Sequence, residues 1–496
     1  MPPGVHQYHF IKASYNMKNN RRDFLKFTGL TGIGLAASGI LPGCATTKGG
    51  NNKSNLGNIQ AEVMKKHTQR FNMHGYAAPK SDTVRIGFIG IGARGAGTVL
   101  LMSHIEGIDI KAVCDIVPEK AESIKTQLAP LGFRPDTYSG KEDSWKQLCD
   151  RDDIDLVYII TPWALHTPMA VYAMEQGKHV AVEVPAAQTI DECWQLVETS
   201  ERTRKHCMML ENDCYGFFQM LTLNLARQGF FGDIIHGEGA YIHDRFKRLF
   251  DKEQTTWRLK ENMNRNGNLY PTHGFGPICQ IMNINCGDKM EYMVSMSSND
   301  FMLSKMADKF AETDDFWKPF AHQKFRGNMN VSTIRTHLGR TIMIQHDTSS
   351  PRVYSRIHLV SGTKACALEY PLPGRISTGH EWLSDEEYKK LEEKYTPKII
   401  KKMGEASKLV DPGGHGGTDL LLNWRLIDCL RNGLPLDMSV YDAATFSCIE
   451  PLSEWSVANR SNSIDIPDFT CDAWEKNQPL MDIALQGGGG ITKVKA

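Results

Sequence analysis

Three glycines provide the first spacing in this chain that points to chemistry. Gly90, Gly92 and Gly95 form a G-x-G-x-x-G pattern, directly after the apolar run 84–89 and before the helix-compatible run 97–104. Glycines in a strand–turn–helix context let the backbone turn tightly and approach a pyrophosphate, whose charge is stabilised at the helix N-terminus. The pattern therefore predicts a dinucleotide site.

An acidic residue at a matching distance indicates which dinucleotide is bound. A second apolar run, 108–114, ends at Asp115, twenty residues after Gly95. A carboxylate there accepts hydrogen bonds from ribose hydroxyls and repels a 2′-phosphate, so the sequence favours NAD over NADP. Arg94 would favour a phosphate near the ribose, but it lies in the turn itself, and contact with the pyrophosphate is the simpler interpretation.

His415 stands between two glycine pairs, Gly413-Gly414 and Gly416-Gly417. These glycines offer no side chains for a core, so a buried structural histidine is not expected there. A histidine on a glycine-rich loop can enter and leave a site, and it titrates near neutral pH. The alternative interpretation is a plain flexible turn.

The elements around the glycine turn predict the fold. A strand at 155–160 and a further segment at 177–185 alternate with helical segments up to about residue 210, a pattern typical of a doubly wound parallel sheet. A chain of 496 residues is too long for one core. We predict an α/β protein with a Rossmann domain over 81–210, a substrate domain with an open mixed or antiparallel sheet over 211–465, and a C-terminal tail over 466–496.

Composition excludes several classes of protein. The formal net charge is 0, which gives no electrostatic reason to expect a nucleic-acid partner. The twelve cysteines are scattered without repeated C-x-x-C pairs, so we expect neither a zinc ribbon nor a disulfide framework. We predict no metal site, and we expect most cysteines to be buried small hydrophobic residues.

The N-terminal residues resemble an export signal. Arg21 and Arg22, within the sequence Asn-Arg-Arg-Asp-Phe-Leu-Lys, form a twin-arginine signature, and the following 27–41 segment is uncharged. At about 15 residues this segment has the length of a signal peptide and is short of a membrane span. The stretch ends in a lipobox-like sequence at Cys44, which would be lipidated and provide the only membrane attachment.

These features predict an exported periplasmic or cell-envelope lipoprotein. The twin-arginine route moves folded proteins, so a cytoplasmic cofactor would be acquired before export. Residues 1–16 precede Met17, the expected start, and residues 45–80 are predicted to be a polar linker. The alternative is a hydrophobic helix that follows the arginines by chance.

The Rossmann region resembles the glucose–fructose oxidoreductase and inositol dehydrogenase family. In that family the sequence corresponding to Glu183-Val184-Pro185 usually reads Glu-Lys-Pro, and its lysine serves in acid–base chemistry. Val184 cannot move a proton, which weakens the interpretation as an ordinary dehydrogenase. A neighbouring group in place of the lysine is the alternative.

A narrower resemblance covers nearly the whole chain after the linker. The sequences at 270–273, 413–417, 424–430 and 451–456 are similar to glycoside hydrolase family 109, and Val184 is what that family shows. The characteristic activity of that family is α-N-acetylgalactosaminidase with tightly bound NAD. The resemblance therefore implies a glycan or glycoconjugate substrate and one recycled NAD per chain.

The resemblance also assigns residues. At the NAD it places, together with the glycine turn, Gly90, Gly92, Ala93, Arg94, Gly95, Asp115, Trp163, His166, Glu183, Val184, Asn212 and Tyr270. Around the sugar it places Tyr241, Arg258, Tyr270, Pro271, Thr272, His273 and Tyr354, and we add His243 beside Tyr241. The tyrosines could instead be packed residues, and Arg258 could be a surface stack on Trp257.

The implied mechanism oxidises C3 of the sugar, eliminates the aglycone across C1 and C2, adds water at C1 and reduces C3 again, with net retention. We assign His415 as the acid that assists the leaving group and later activates water, and Tyr270 and His273 to proton transfers at C2 and C3. Asn212 and Glu183 would orient the nicotinamide ribose. The alternatives are an NAD-dependent sugar dehydrogenase and a non-catalytic sugar-binding lipoprotein. Related folds add the expectation of a homo-oligomer through the sheet of the second domain.

Overall fold

The computed structural model describes residues 58–252, 256–410 and 417–495. The predicted signal segment with Cys44, the first part of the predicted linker, and His415 lie outside the described residues. Within these ranges, no helix combines the length and the apolar composition that crossing a membrane requires.

The first domain is built on a six-stranded sheet in the order β3-β2-β1-β4-β5-β6, in which every pair is parallel. Its strands are β1 (Val84–Ile89), β2 (Ile108–Cys114), β3 (Asp136–Tyr138), β4 (Leu156–Ile159), β5 (His179–Val182) and β6 (Cys207–Met209). The strand order reverses between β1 and β4, and the crevice at such a switch point is where ligands bind in doubly wound folds. The predicted Rossmann fold is confirmed.

Helices cover both faces of this sheet, as a parallel sheet requires. They are α2 (Ala93–Met102), α3 (Pro118–Leu128), α4 (Ser144–Cys149), α5 (His166–Glu175) and α6 (Ile190–Thr203), preceded in the chain by α1 (Ile59–Met64). Helix α2 begins directly at the glycine turn, four residues earlier than the sequence indicated.

The second domain contains an eight-stranded sheet in the order β13-β12-β11-β7-β10-β9-β8-β14. Its strands are β7 (Ile234–Ile242), β8 (Met290–Ser297), β9 (Asn330–Thr336), β10 (Thr341–Asp347), β11 (His358–Gly362), β12 (Cys366–Glu369), β13 (Arg375–Ser377) and β14 (Ile464–Asp465). The pair β7 and β10 is parallel and the other pairs are antiparallel, which confirms the expected mixed sheet.

Ten helices of the described chain accompany this sheet. They are α7 (Phe217–Arg227), α8 (Phe246–Leu249), α9 (Thr256–Glu261), α10 (Thr272–Met282), α11 (Leu303–Ala311), α12 (Asp385–Tyr395), α13 (Lys398–Val410), α14 (Thr418–Asn432), α15 (Val440–Ser447) and α16 (Ile449–Ala458). Helix α10 lies directly on β7, because a Cβ at Gly274 would overlap the backbone of Ala240, and one at Gly239 would overlap Gly274. This close approach brings the first turn of α10 next to the end of β7.

Helix α14 is buried along most of its length and connects the two domains. Tyr158 of β4 donates a hydrogen bond to Asn423 Oδ1 at 2.8 Å, and the indole of Trp424 donates to the carbonyl of Thr492 at 2.8 Å. Arg425 forms a two-bond ion pair with Asp437, at 2.9 and 2.8 Å. The 424–430 sequence that carried the family resemblance is therefore core structure and lies away from the site.

Residues 58–80, predicted to be part of a polar linker, instead pack on the folded body. Ile59, Met73 and Ala78 are buried, and the Gln69 side chain donates to the Tyr441 hydroxyl at 3.0 Å. The polar character of residues 48–52 does not extend to these apolar side chains, which is why the linker prediction is wrong for this part. The C-terminal tail packs too, through a β-bridge between Ile105 and Val494.

Candidate functional site

The glycine turn has the shape that a dinucleotide requires. Gly90 has a φ of +95°, and a Cβ at that position would overlap the carbonyl of Ile160. A Cβ at Gly95 would overlap the carbonyl of Gly90, so only glycine lets α2 pack this close to β1. At Gly92 a Cβ would point into space with no atom within 4 Å, and no side chain caps the start of α2. Backbone groups at this turn are thus open to an anion.

A cavity of about 670 Å³ lies in front of this turn. It is lined by all but one of the residues expected at the cofactor: Gly90, Gly92, Ala93, Arg94, Gly95, Asp115, Trp163, His166, Glu183, Val184 and Tyr270. At one end Asp115 accepts the backbone N–H of Ile91 at 2.7 Å and that of Val117 at 2.9 Å, which orients its carboxylate at the edge of the sheet. The open glycine turn and the oriented carboxylate fit NAD.

Arg94 lines this cavity, which we call the cofactor cavity, and is held there by two carboxylates. Its guanidinium donates to Glu183 at 2.9 Å and to both oxygens of Asp419 at 2.5 and 2.9 Å. Burial would lower the pKa of Arg94, but the two carboxylates outweigh it and raise the pKa above its ordinary value. Two acids already neutralise this arginine, and its contact with the pyrophosphate stays a prediction.

His166 and Val184 line the cofactor cavity without offering a free polar group. His166 is buried, with Nδ1 at 2.7 Å from the carbonyl oxygen of Pro185 and Nε2 at 2.8 Å from that of Thr161. Burial lowers the pKa of His166, although both carbonyl oxygens oppose this shift. Its visible role is to hold the two chain segments that form the cavity wall, and Val184 adds an apolar side chain to that wall.

A second cavity, of about 810 Å³, adjoins the first. Residues that line both are Ala93, Arg94, Glu183, Arg245, Arg248, Arg258 and Tyr270. The second cavity is also lined by Asn212, Tyr241, His243, His273 and Tyr354, so most of the residues expected at the sugar lie there. We call it the sugar cavity.

Pro271 and Thr272 belong to neither cavity. Thr272 has no exposed surface, and both residues form the start of α10. Their predicted contact with the sugar is corrected to an indirect role: they set the position of their neighbours Tyr270 and His273.

Tyr270 lies where the two cavities meet. Its ring stacks on Trp163 at 5.4 Å between centroids and contacts the rings of Tyr241 and His273, each at 4.9 Å. Burial raises the pKa of Tyr270 well above its ordinary value, so its hydroxyl stays protonated and can donate. The guanidinium of Arg258 lies over the rings of Trp163, Trp257 and Tyr270, at 5.1, 4.7 and 5.5 Å. Arg258 is half-buried and lines both cavities.

His273 is paired with a buried acid that the sequence had not assigned. Its Nδ1 lies 2.7 Å from Oε1 of Glu211, which has no exposed surface. A carboxylate accepts only, so Nδ1 carries the proton and Nε2 is left as a proton acceptor. Tyr241 packs against the ring of His273 at 5.4 Å. The pair can therefore take up a proton inside the sugar cavity.

Two further charged residues complete the cluster. Asp213 lies 3.8 Å from His273 Nδ1 and forms an ion pair with Arg356, which also donates to the hydroxyl of Tyr354. Glu211, Asp213 and His273 have the spacing of a metal-binding group, but the guanidinium of Arg356 already supplies positive charge there. Arg356 lines the sugar cavity and holds Tyr354 in place.

Sequence reasoning missed Glu211, Asp213, Arg356 and Asp419. Glu211 and Asp213 flank the predicted Asn212, so their position was visible and their role was not. Arg356 follows Tyr354 by two residues, which places both on one side of an extended chain. No sequence pattern near Asp419 indicated a role at the site. It binds Asn212 Nδ2 at 2.8 Å as well as Arg94.

His415 lies outside the described residues, so its predicted role stays a prediction. Val410 and Asp419, which are described on either side of it, both line the sugar cavity.

Comparison with known proteins follows the two-domain division. The family model described as "Glycosyl hydrolase 109, C-terminal domain" matches residues 215–476, and "Oxidoreductase family, NAD-binding Rossmann fold" matches residues 84–211. A "Glycosyl hydrolase family 109 protein" of Shewanella pealeana is 44% identical over 476 residues, covering 94% of this chain and 99% of the relative. A protein of Shewanella oneidensis named "Alpha-N-acetylgalactosaminidase" is 41% identical over 473 residues, covering 93% and 98%.

Solved structures show the same fold at lower identity. An NAD binding oxidoreductase from Klebsiella pneumoniae superposes with a TM-score of 0.59 at 16% identity, covering 78% of this chain and 99% of its own. Levoglucosan dehydrogenase in complex with NADH gives 0.58 at 18% identity, covering 78% and 100%. The open glycine turn, the Rossmann match and the relatives that align along nearly the whole chain agree: the chain belongs to glycosyl hydrolase family 109 and carries its NAD-binding Rossmann domain.

Proposed function

We propose that the protein hydrolyses terminal α-linked N-acetylgalactosamine, with one tightly held NAD per chain that is regenerated in every cycle. The observation that carries this proposal is the junction of the two cavities, where Tyr270 lines both the cavity expected to hold the cofactor and the cavity expected to hold the sugar. The name of the Shewanella oneidensis relative supports the choice of sugar.

The residues that would hold the cofactor are the glycine turn, Asp115, Glu183 and Asn212. Bound there, NAD would supply the redox chemistry, the removal of a hydride from C3 of the sugar and its later return. The protein supplies binding, orientation and proton transfer. Val184 contributes no proton, so the acid–base groups must come from the second domain.

His273 is suited to accept the proton at C2, and Tyr270 is suited to hydrogen-bond the oxygen on C3. Glu211 keeps the Nδ1 proton on His273, so Nε2 can accept a proton from the sugar, and the carboxylate stabilises the imidazolium that results. Tyr270 keeps its own proton and donates a hydrogen bond to an oxygen that gains negative charge. Together they favour removal of the C2 proton next to an oxidised C3.

His415 is proposed as the group that protonates the departing aglycone oxygen at C1 and then takes a proton from the attacking water. Its sequence setting, two glycine pairs, supports movement of this histidine in and out of the site. The position of Val410 and Asp419 at the cavity wall agrees with this role.

The decisive experiment uses purified protein without added NAD and a panel of nitrophenyl α- and β-glycosides. We expect aglycone release from the α-N-acetylgalactosaminide, no net absorbance at the NADH wavelength, and solvent deuterium at C2 of the product. Heat-released NAD should equal the protein in molar amount. Accumulation of NADH with free sugar and added NAD would identify a dehydrogenase, and absence of any turnover would identify a binding protein.

We also propose export as a lipoprotein. The twin arginines, the uncharged 27–41 segment and Cys44 occur in the order that such a signal requires. Cell fractionation and labelling with a lipid precursor test this. The variant Cys44→Ser should lose the label, and replacement of Arg21 and Arg22 by lysine should keep the protein in the cytoplasm.

A homo-oligomer through the second-domain sheet is proposed from its outward face. On β8 the side chains of Tyr292, Val294 and Met296 alternate with buried ones and are 41%, 37% and 66% exposed. Apolar side chains on an open strand face are typical of an interface. Light scattering of wild type and Met296→Glu tests this: the wild type should exceed the mass of one chain, as measured by denaturing mass spectrometry, and the variant should approach it.

A further inference from the structure

A short segment after β7 carries Arg245 into the wall between the two cavities. Its backbone N–H donates to the carbonyl of Thr348 at 3.1 Å, and its carbonyl accepts from Leu249 at 3.0 Å. The position of the residue is therefore set by the segment that directly follows β10 on one side and by α8 on the other. The side chain lines both the cofactor cavity and the sugar cavity.

Positive charge is concentrated around this side chain. Arg248 and Arg258 line the same two cavities. Burial, and then the nearby guanidinium groups of Arg258 and Arg248, lower the pKa of Arg245, while Tyr241 and Tyr270 are the groups that oppose this. Among the residues that the structure describes, no carboxylate forms an ion pair with Arg245 or Arg258.

Arg245 and Arg258, which are both partly buried, therefore favour binding of an anion. Partly buried guanidinium groups that repel one another lose hydration without a compensating charge, and a ligand with oxyanion groups offsets that cost. Arginine is well suited to phosphate because its planar fork donates two parallel hydrogen bonds.

The residues that share both cavities with Arg245 indicate which anion this is. Ala93, the first residue of α2, and Arg94 line the same two cavities as Arg245. The start of α2 has no side-chain cap, and Arg94 forms ion pairs with Glu183 and Asp419. At the turn itself, the Rossmann domain thus offers a pyrophosphate backbone N–H groups and an arginine already paired with two acids, while Lys120 and Lys141 line the cofactor cavity after β2 and β3.

We propose that Arg245 of the second domain binds the pyrophosphate of NAD from the side opposite the glycine turn and so retains the cofactor. This inference deepens the proposed function, because it rests on NAD that stays bound through the cycle. NAD would then leave only when the segment from β7 to α8 moves away. Arg245 is a retention residue and takes no part in the chemical steps.

The test measures retention and needs no turnover. Wild type, Arg245→Ala, Arg245→Lys and the control Lys247→Ala are purified as holoproteins and dialysed at 0.15 and 0.5 M NaCl, and remaining NAD is released by heat and quantified. Lys247 is an exposed neighbour that lines neither cavity. Loss of a charge-assisted bond should speed NAD release by about tenfold or more in Arg245→Ala. Lysine should give an intermediate value, and Lys247→Ala should match wild type.

The outcomes separate this inference from the proposed function. Faster NAD loss from Arg245→Ala, with a melting curve like that of wild type once NAD is added back, supports it, whether or not aglycone release is seen. Wild-type retention in Arg245→Ala overturns it. A variant that keeps its NAD but shows a raised KM only for a sulfated glycoside, compared with the neutral one, also overturns it, because the anion then belongs to the substrate. A wild type that holds NAD but releases no aglycone defeats the proposed function alone.

Discussion

At the scale of single residues, the contact of His273 with Glu211 decides what the sugar cavity can do. The two atoms are 2.7 Å apart, and the second carboxylate oxygen of Glu211 is buried without a partner among the described residues. A buried acid of this kind fixes the histidine tautomer and stabilises its protonated form. The histidine can then accept a proton that neither Val184 nor the high-pKa Tyr270 can take.

Replacement of Glu211 by glutamine tests this role. The amide keeps the shape of the side chain but loses the charge that stabilises the imidazolium, so kcat on nitrophenyl α-N-acetylgalactosaminide should fall by about 10²- to 10⁴-fold. NAD content should stay the same. The control is Glu291→Gln, which alters a surface pair with His337 at 3.2 Å. A kcat within twofold of wild type would remove Glu211 and His273 from the mechanism.

His415 makes a separate prediction at the same scale. His415→Ala should keep its NAD and should lose most activity on substrates whose leaving group is a poor one, because a good leaving group departs without an acid. Turnover of a nitrophenyl glycoside and of an alkyl glycoside measures the difference. Unchanged activity on the alkyl glycoside would show that the glycine run is only a turn.

At the scale of elements, one arginine connects α9 to α16 behind the site. Arg265 donates to Glu261 at 3.1 Å, to Glu450 at 2.5 Å, and to both oxygens of Glu454 at 3.0 and 2.6 Å. Burial raises the pKa of Glu450 to about 8. Arg265 lowers this pKa, but the neighbouring carboxylates of Glu454 and Glu261 raise it, since one guanidinium is shared among three carboxylates. This arrangement positions α9, which carries Arg258, against the buried helix α16.

The raised pKa of Glu450 predicts a pH dependence of stability. The folded state binds the proton more tightly than the unfolded chain, so the stabilisation is complete below the ordinary carboxyl pKa and is lost as pH rises through about 8. Between pH 5 and 8 the melting temperature of wild type should therefore fall more steeply than that of Glu450→Gln. Circular dichroism melting measures both, with Glu381→Gln on the surface as the control. Parallel curves would contradict the shift.

At the scale of the whole molecule, the two halves of the chain are joined at the site itself. Asp419, at the start of α14 in the second half, binds Arg94 of the glycine turn and Asn212 of the segment between the domains. Further along α14, Tyr158 contacts Asn423 and Glu106 contacts Arg431. One buried helix, α14, therefore fixes the position of the cofactor cavity relative to the sugar cavity.

Asp419→Asn tests this connection. Loss of the charge leaves Arg94 with Glu183 alone, and the free energy of unfolding should fall by about 1–3 kcal/mol, with the lower end expected because Arg94 is partly exposed. NAD retention should weaken as well, since the turn loses an anchor. Denaturant unfolding of the holoprotein measures the first effect, with the exposed Asp385→Asn as control. Stability equal to that of wild type would show that the domains are held together elsewhere.

The sequence by itself determined the local parts of this protein. The glycine turn, the strands on either side of it and Asp115 could be predicted because they follow one another within about thirty residues, and each has a physical signal of its own. The bounds of β1 and β2 agree with the apolar runs, because a buried parallel strand is a continuous apolar segment. The residues around the sugar came from the family resemblance, and the structure groups most of them in one cavity.

Only the tertiary structure decided how these parts are paired. Arg94 meets Asp419 across 325 positions of the chain, and His273 meets Glu211 across 62, and no local pattern announces either contact. The same limit explains the errors at Pro271 and Thr272, which are buried and line neither cavity, whereas their neighbours in sequence line the sugar cavity. Spacing along the chain predicts which ligand a turn can bind. Whether a charged side chain at that turn is available to the ligand depends on its ion pairs with residues distant in the sequence, and only the tertiary structure shows these pairs.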